Sequence, residues 1–271
     1  MRGIHPTRYY LYETGRWKAV DKAVTEEGQV CLFVNGQELA TVMCTPRDLD
    51  ELALGFLRSE NIIQGRDDVE VLTVTEAGTC VDVWLKPSVP YTPPQRRIIT
   101  SGCGGGLTFD DLQASRPPLD TNTTVTPDQV FARLRELYRA VPLYEATQGI
   151  HAAAFADTAR LVLVAEDIGR HNAVDRLWGK ALKLGQPTAG LMLFSTGRIS
   201  SEMLNKAAKM GAPIVVSRTS PTSLSVKLAQ AWNVTVIGYT RRNTLRVYSG
   251  AERVVAPALL QPSGTSKAPS P

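Results

Sequence analysis

The chain has 271 residues, of which 43% are hydrophobic and 21% charged, and its formal net charge is +4. This composition supplies enough apolar material for a sizeable core and argues against a collagen-like, disordered or disulfide-stapled chain. No apolar run approaches the roughly 18 residues of a membrane span, and the N-terminus lacks the apolar stretch of a secretory signal. We therefore expect a cytoplasmic protein that does not act at a membrane.

The mildly basic charge is spread along the chain. It favours either an ordinary solvated surface or a small polyanionic ligand such as a nucleotide. No block of Lys and Arg resembles a nucleic-acid-binding arm, so nucleic acid is not an expected partner.

The first part of the chain predicts a small α+β unit. Asn35-Gly36 is a strong signal for a tight hairpin and predicts two strands within Val30–Met43. Thr45-Pro46 predicts the start of a helix with Asp48 in its first turn. A second strand pair is predicted to turn at Ala77-Gly78.

The later part alternates strands and helices, which predicts a layered α/β sheet covered by helices. Thr126-Pro127 with Gln129 predicts the first of these helices, because the side chains at these spacings cap a helix start. The predicted strands are 150–156, 160–165, 191–194, 214–217, 234–239 and 245–248, and the predicted helices are 169–184, 200–210 and 221–231. The predicted divisions are an α+β unit at 1–90, a linker with a glycine-rich loop at 91–125, an α/β domain at 126–256 and a disordered tail at 257–271.

Cys103 stands apart from the other three cysteines because it lies in the sequence SGCGGG. Glycines leave a thiol poorly shielded and let backbone N–H groups turn towards the sulfur, which favours the thiolate. A thiolate is the nucleophile that takes sulfur from a persulfide, although an incidental cysteine in a flexible loop fits the same pattern. Cys31, Cys44 and Cys80 lie in apolar or strand-like contexts and are predicted to be packing residues of the smaller unit. No Cys or His spacing is typical of a zinc site, so we expect no metal centre.

Polar turns follow several of the predicted strands, at the edge where α/β sheets bind ligands. Arg170 and His171 follow one strand, and the turn at 195–201 places Arg198 beside hydroxyls at a helix start, which suits a phosphate. Similar turns occupy 217–223 and 239–244. Several such turns on successive strands favour a phosphate-rich ligand over any single motif.

The same turns also have a purely structural interpretation. Asp167 could cap the following helix, Arg170 and Asp175 could be ion-paired, and Ser200 could cap the next helix. The residues alone leave both interpretations open.

The chain resembles the formate dehydrogenase accessory sulfurtransferases, the FdhD/NarQ family. The matching segments cover most of residues 30–255 in order, and the run EDIGRHNAVD is the most specific of them. They are LALGFL at 52–57, the Cys103 loop, GIHAA at 149–153, EDIGRHNAVD at 166–175, residues 195–202, Ala212-Pro213, SPTSL at 220–224, Gly238 and VYSGAER at 247–253.

The resemblance implies a function and a fold. Family members accept sulfane sulfur from a cysteine desulfurase as a persulfide, here on Cys103, and deliver it to the molybdenum of a bis(molybdopterin guanine dinucleotide) cofactor that serves formate dehydrogenase. That cofactor is a bound client, and no permanent cofactor is implied. The implied fold is a three-layer α/β/α sandwich similar to cytidine deaminases, with a smaller N-terminal α+β unit, in a homodimer. The deaminase zinc ligands are absent, so deamination is not implied.

The resemblance also implies a set of cofactor-binding residues, to which we add those of the polar turns. The segment that matches the cofactor-contacting segment of the family is Thr240, Arg241, Arg242, Asn243, Thr244 and Leu245. The polar turns add Ser195, Thr196, Gly197, Arg198, Arg170 and His171.

One position departs from the family pattern. Many members have a second cysteine three residues after the first, whereas this chain has Gly106 there. We therefore expect direct transfer from Cys103 without an internal disulfide. The alternative function is a chaperone that binds the molybdenum cofactor and formate dehydrogenase without moving sulfur. A nucleotide-hydrolysing or deaminating enzyme is disfavoured because the chain has neither a Walker loop nor a metal cluster.

Overall fold

The computed structural model describes residues 3–94, 98–99, 107–109 and 116–255. These residues form fourteen strands and six α-helices. The strands are β1 (Ile4–Glu13), β2 (Arg16–Thr25), β3 (Gly28–Val34), β4 (Gln37–Cys44), β5 (Val69–Val74), β6 (Cys80–Leu85), β7 (Ile98–Ile99), β8 (Leu107–Thr108), β9 (His151–Ala156), β10 (Leu161–Asp167), β11 (Met192–Ser195), β12 (Ile214–Ser217), β13 (Thr235–Arg241) and β14 (Thr244–Ser249). The helices are α1 (Leu49–Ser59), α2 (Pro127–Arg139), α3 (Pro142–Thr147), α4 (Arg170–Lys183), α5 (Ser201–Lys209) and α6 (Ser223–Ala231).

The N-terminal part contains a four-stranded sheet in the order β4-β3-β6-β5. The hairpin predicted at Asn35-Gly36 is confirmed, and both residues have positive φ values, +50° and +77°, as a tight hairpin turn requires. Alternate residues of each strand, such as Leu32 and Val83, form a core with the apolar stripe of α1. The sheet is therefore covered by α1 on one face.

The predicted start of α1 at Thr45-Pro46 is wrong, because the helix begins at Leu49. Asp48 is the N-cap and lies in the left-handed region at φ 43°, so the chain turns sharply just before the helix. The Arg176 side chain donates to the backbone carbonyls of Thr45, Arg47 and Asp48, and this holds the turn outside the helix.

The later part forms a six-stranded sheet in the order β10-β9-β11-β12-β13-β14. The central β11, β12 and β13 are parallel, and the remaining pairs are antiparallel. Alternate residues face opposite layers: Ala153 and Phe155 pack with α4, α5 and α6, whereas Ala152 and Ala154 pack with α2. Helices thus cover both faces, which confirms the expected three-layer α/β/α sandwich.

The helix starts in this part follow their sequence signals closely. Thr126 and Gln129 form the predicted capping box of α2. Thr222 caps α6, so that helix begins two residues after the predicted Pro221. The short α3 was not predicted from the sequence. It is fixed by Glu166, whose carboxylate accepts the backbone N–H groups of its first turn.

Two glycines allow α1 and α4 to cross with their backbones in contact. A Cβ at Gly55 would overlap the carbonyl oxygen of Asp175, and a Cβ at Gly179 would overlap that of Glu51. Gly55 lies in the LALGFL segment singled out in the sequence, so this segment joins the small sheet to the sandwich.

The hairpin of β1 and β2 was also not predicted. Its ten-residue strands turn at Thr14-Gly15 and pair over their whole length. Its base contacts α3, where the Thr25 hydroxyl donates to that of Thr147 at 3.0 Å. Most of its side chains are exposed, including Tyr12 and Trp17, whose rings lie 5.2 Å apart. We call this element the ribbon.

Cys103, Gly106 and the predicted tail lie outside the described residues. None of the described helices has the length and apolar character needed to cross a bilayer.

Candidate functional site

The polar turns predicted to converge do lie along one edge of the six-stranded sheet. Asp167 at the end of β10 pairs with His151 at the start of β9. Ser195 at the end of β11 pairs with Ser217 at the end of β12. Strand β13 lies next to β12 and parallel to it, with Val216 paired to Ile237, so the end of β13 lies at the same edge. This edge is where open α/β sheets bind ligands.

A cavity of about 630 Å³ lies between this edge and α2. Its described lining carries four arginines and no acidic residue, so the cavity is strongly cationic. One wall is apolar and aromatic. The lining residues are Phe131, Leu134, Arg135, Tyr138, Arg218, Thr240, Arg241, Arg242, Asn243 and Thr244.

A bulge in β13 shapes this cavity. The β13–β14 register shifts between Gly238 and Arg241, and Tyr239 within the shift has φ +48°. The strained residue is held by its N–H, which donates to the Thr219 carbonyl at 3.0 Å. Thr240 is fully buried in the cavity wall, and its Oγ1 has no hydrogen-bond partner among the described residues. A buried hydroxyl without a partner is costly, and a ligand could supply the missing bond only if the cavity wall opens to expose it.

A second cavity of about 270 Å³ adjoins the first, since Tyr138 and Arg218 line both. The Arg218 guanidinium lies 5.5 Å from the centre of the Tyr138 ring. His151 and Thr196 also line this cavity, and His151 Nδ1 lies 3.1 Å from Thr196 Oγ1. Burial and the nearby Arg170 guanidinium lower the pKa of His151, so its ring is neutral at pH 7.

Four of the predicted site residues lie beneath the edge. Arg170, His171, Ser195 and Gly197 are all buried. Gly197 sits against Arg170, so that a Cβ there would come within 2.7 Å of the arginine side chain. These residues support the edge from below.

His171 is surrounded by polar groups of the next helix. Its Nε2 lies 3.2 Å from the Glu202 carboxylate and 3.4 Å from the Ser200 hydroxyl. Burial, together with the charges of Lys206 and Arg170, nevertheless lowers the pKa of His171 to about 2. The imidazole is therefore neutral at pH 7, and the structure shows it in a supporting position.

The carboxylates of the EDIGRHNAVD run have structural partners, although Asp167 does not cap α4, whose N-cap is Gly169 without a side-chain cap. Asp167 accepts the Gly169 N–H at 2.9 Å and pairs with Arg176 at 2.5 Å. Asp175 is ion-paired, as the structural interpretation allows, and its partner is Lys206 at 2.6 Å. Asn172 reaches the Met43 carbonyl at 2.8 Å, so this run connects the sandwich to the N-terminal sheet.

The structure separates the remaining predicted residues. All five residues from Thr240 to Thr244 line the larger cavity, whereas Leu245 packs against the hydrophobic core under α2. Thr196 lines the smaller cavity. Arg198 is exposed and lines neither. The roles of these residues stay predictions.

Sequence reasoning missed the residues that α2 and α3 contribute. Phe131, Leu134, Arg135 and Tyr138 recur at helical spacing, so a shared face could have been recognised. The part of the sheet that this face covers depends on how α2 packs on the sheet. The local sequence pattern does not determine that packing.

The three cysteines predicted to be packing residues differ in burial. Cys44 is buried, and burial raises its thiol pKa to about 12. Cys31 and Cys80 are partly exposed, because they lie on the face of the four-stranded sheet turned away from α1.

Comparison with known proteins decides the family. A model of the FdhD/NarQ family matches residues 25–255. The chain belongs to this family. The chain is 35% identical over 249 residues to the sulfur carrier protein FdhD of Listeria innocua. The matched region covers 90% of this chain and 95% of that protein. It is 34% identical over 250 residues to the protein of the same name from Bacillus subtilis.

A solved structure shows that the similarity extends to the fold. It is a crystal structure from Desulfotalea psychrophila, provisionally described as a formate dehydrogenase accessory protein. The two structures superpose with a TM-score of 0.75 at 26% identity, over 93% of this chain and 99% of the other.

Proposed function

We propose that this protein is a sulfur carrier in the maturation of formate dehydrogenase. It takes sulfane sulfur from a cysteine desulfurase as a persulfide on Cys103. It passes that sulfur to a molybdenum cofactor that carries guanine dinucleotides, which it binds as a client and which, in its reduced form, supplies the two electrons that convert sulfane sulfur to sulfide. The observation that carries the client-binding part is the cationic cavity with its buried, unpartnered Thr240 hydroxyl.

The cavity suits one nucleotide end of such a cofactor. Its volume of about 630 Å³ lies within the roughly 300–1,000 Å³ typical of ligand pockets. Arg218, Arg241 and Arg242 provide guanidinium groups that bind phosphate oxygens in pairs. Phe131 and Tyr138 provide an aromatic wall for a base. Thr240 Oγ1 then gains the hydrogen bond that it lacks.

The sulfur step places a simple demand on Cys103. Its thiolate attacks the terminal sulfur of the desulfurase persulfide, so that one S–S bond breaks and another forms with no net oxidation. The desulfurase leaves as a thiolate, and Cys103 carries the sulfur. Buried Cys44, with its pKa raised to about 12, has no thiolate to offer at pH 7. The reaction also needs a reducing compartment, which is why we place the protein in the cytoplasm.

Intact-mass spectrometry tests the carrier step. The protein is incubated with a cysteine desulfurase and cysteine, and peptide mapping locates the added sulfur. We expect one extra sulfur on Cys103 in the parent and in the matched control Cys80→Ser. We expect none in Cys103→Ser, which should also fail to mature formate dehydrogenase.

The same variant separates the two candidate functions. A chaperone that only binds the cofactor has no need of a thiol, so Cys103→Ser would mature formate dehydrogenase normally. That result would sink the carrier function and leave the binding function. Variants of the cationic cavity should fail under either function.

We also propose the homodimer and assign its interface to the ribbon. A two-stranded hairpin alone is marginally stable in water, yet this one extends ten residues with both faces exposed. Its four large aromatic side chains, Tyr9, Tyr10, Tyr12 and Trp17, are 38–70% exposed. Scaled by these exposed fractions, the roughly 150–250 Å² of a large aromatic side chain gives about 350–600 Å² together, a substantial part of the ~800 Å² per partner of a stable interface. We assign a second copy of the chain as the partner that covers the ribbon, because another copy is present wherever the protein is.

A further inference from the structure

Cys31 and Cys80 lie side by side on the outer face of the four-stranded sheet. Strands β3 and β6 run parallel, and their register pairs Cys31 with Cys80. The pairing is held by the Cys31 N–H, which donates to the Thr79 carbonyl at 2.9 Å. Both thiols are free and partly exposed, whereas the residues that flank them, such as Leu32 and Val81, are buried on the inner face.

This register brings the two thiols within reach of each other. Residues in register on neighbouring strands point to the same face, and the strands lie about 4.7–4.9 Å apart. A disulfide needs Cα atoms about 4.4–6.8 Å apart, so the backbone already satisfies this requirement. The Cβ atoms must move somewhat closer than the strand spacing, which strains the bond and makes it easier to reduce.

We propose that Cys31 and Cys80 form a dithiol site that low-molecular-weight disulfides convert reversibly into an internal disulfide. One thiolate attacks the small disulfide, breaks its S–S bond and releases one small thiol, which leaves a mixed disulfide on the protein. The second thiolate attacks the protein sulfur of that mixed disulfide and releases the second small thiol. The two cysteines lose two electrons and two protons, and the small disulfide gains both.

The disulfide joins two neighbouring strands around a large loop. Residues 31–80 enclose α1, the helix that packs against α4. Closing a loop of this size restricts the unfolded chain, so the oxidised protein has a higher unfolding midpoint than the reduced one. The site lies on the sheet face turned away from α1, and it does not depend on the carrier role of Cys103.

Titration with oxidised glutathione tests the site in the full-length protein. After exposure, remaining thiols are alkylated, and peptide mapping by mass spectrometry locates every cross-link and adduct. We expect a cross-linked peptide pair containing Cys31 and Cys80, its complete loss on addition of dithiothreitol, and a rise in the unfolding midpoint while the cross-link is present.

A matched variant keeps two exposed thiols on the same strands but moves one out of register. In Cys80→Ser combined with Asp82→Cys, the second thiol lies diagonally from Cys31, about 7–8 Å away. This variant should form glutathione adducts in place of the cross-link. Cys31→Ser should likewise give an adduct on Cys80. The proposal is overturned if the parent yields only adducts, no reaction, or a cross-link between either cysteine and Cys103.

Discussion

At the scale of one residue, Thr240 carries a hydroxyl that the free protein leaves without a hydrogen bond. Its hydroxyl is buried in the wall without a hydrogen-bond partner, at a point where the chain adopts a strained bulge. Strain of this kind persists where the surrounding structure holds it, and it often marks a binding site. The hydroxyl therefore costs stability in the free protein, and under the proposed function a bound ligand would offset that cost.

The first prediction separates these two effects with Thr240→Val. We expect the unfolding free energy to stay constant or rise, because an unpartnered hydroxyl is replaced by a methyl of similar shape. We expect affinity for guanosine diphosphate to fall by about 2- to 10-fold, which corresponds to roughly 0.5–1.5 kcal/mol for a lost hydrogen bond. Calorimetry and chemical denaturation measure the two quantities. Thr73→Val, on exposed β5, should leave affinity unchanged. Lower stability with unchanged affinity would contradict the assignment.

The second prediction concerns the pH dependence of stability at His171. The folded pKa is about 2, whereas an unfolded histidine titrates near 6.5. Because the unfolded state binds the proton first, the contribution of His171 is fully present above about pH 6.5 and declines as the pH falls below it. Between pH 7 and pH 5 the loss is about 2 kcal/mol. Denaturant unfolding at both pH values should show a loss smaller by this amount in His171→Gln. Equal losses in both proteins would show that His171 does not resist protonation.

At the scale of elements, the crossing of α1 and α4 depends on two missing side chains. Gly55 and Gly179 let each helix rest on the backbone of the other. The helix stripe of Leu52, Phe56 and Leu57 is recognisable from spacing, but the reason for a glycine in the middle of that helix is visible only in the crossing. Helical glycine costs about 1 kcal/mol relative to alanine in an isolated helix, so packing reverses the usual preference.

The third prediction tests that reversal with Gly55→Ala. Although alanine is the better helix former, its methyl would overlap the Asp175 carbonyl and force the helices apart. We expect the unfolding free energy to fall by about 1–3 kcal/mol, as is typical of overpacking. Gly65→Ala is the matched control, since the nearest atom to its new methyl would be 4.0 Å away. A Gly55→Ala protein as stable as the parent would show that the crossing is looser than described.

Local signals in the sequence identified elements, and they failed where tertiary contacts decide. Asn35-Gly36 predicted its hairpin because both residues adopt positive φ at little cost. The ribbon has no such signal. Its turn places the β-branched Thr14 at φ 47°, and its strands lack the alternating burial of a half-buried strand. Asp48 likewise takes φ 43° because Arg176, far along the chain, binds the carbonyls around it.

The sequence likewise predicted only part of the candidate site. The residues at 240–244 line the larger cavity, because strand ends in an α/β sheet share one edge. Arg198 fits the same pattern in the sequence, yet its side chain is exposed away from both cavities. The facing wall from α2 was missed, since the orientation of a helix on a sheet is set by its packing and not by its neighbours in sequence.

At the scale of the whole molecule, one buried cluster connects the parts of the fold. Arg176 on α4 binds Asp167 and the carbonyls that precede α1, and Asp167 in turn accepts the Thr45 N–H at 3.3 Å. Glu166, the preceding residue, holds the start of α3, against which the ribbon rests. The EDIGRHNAVD run therefore positions the N-terminal sheet, the ribbon base and the cavity edge with respect to each other.

The ribbon contacts α3 only through its base and leaves most of its side chains exposed, which leads to the fourth prediction. Size-exclusion chromatography with light scattering should show a dimer for the parent and a monomer for the double variant Tyr12→Ser, Trp17→Ser. Both rings are more than half exposed in the single chain, at 59% and 70%, so the change removes contacts with another copy and, within the fold, the contact of the two rings with each other.

The monomeric variant should therefore retain the parent's circular dichroism spectrum and its affinity for guanosine diphosphate. The matched control is Arg8→Ala with Asp21→Ala, which removes an exposed ion pair from the same ribbon. An exposed pair contributes at most about 1 kcal/mol, so the control should remain dimeric. If the aromatic variant also stays dimeric, the copies associate through another surface. In that case the ribbon's exposed rings are free to contact a different protein, and the desulfurase and formate dehydrogenase can be tested for binding to it.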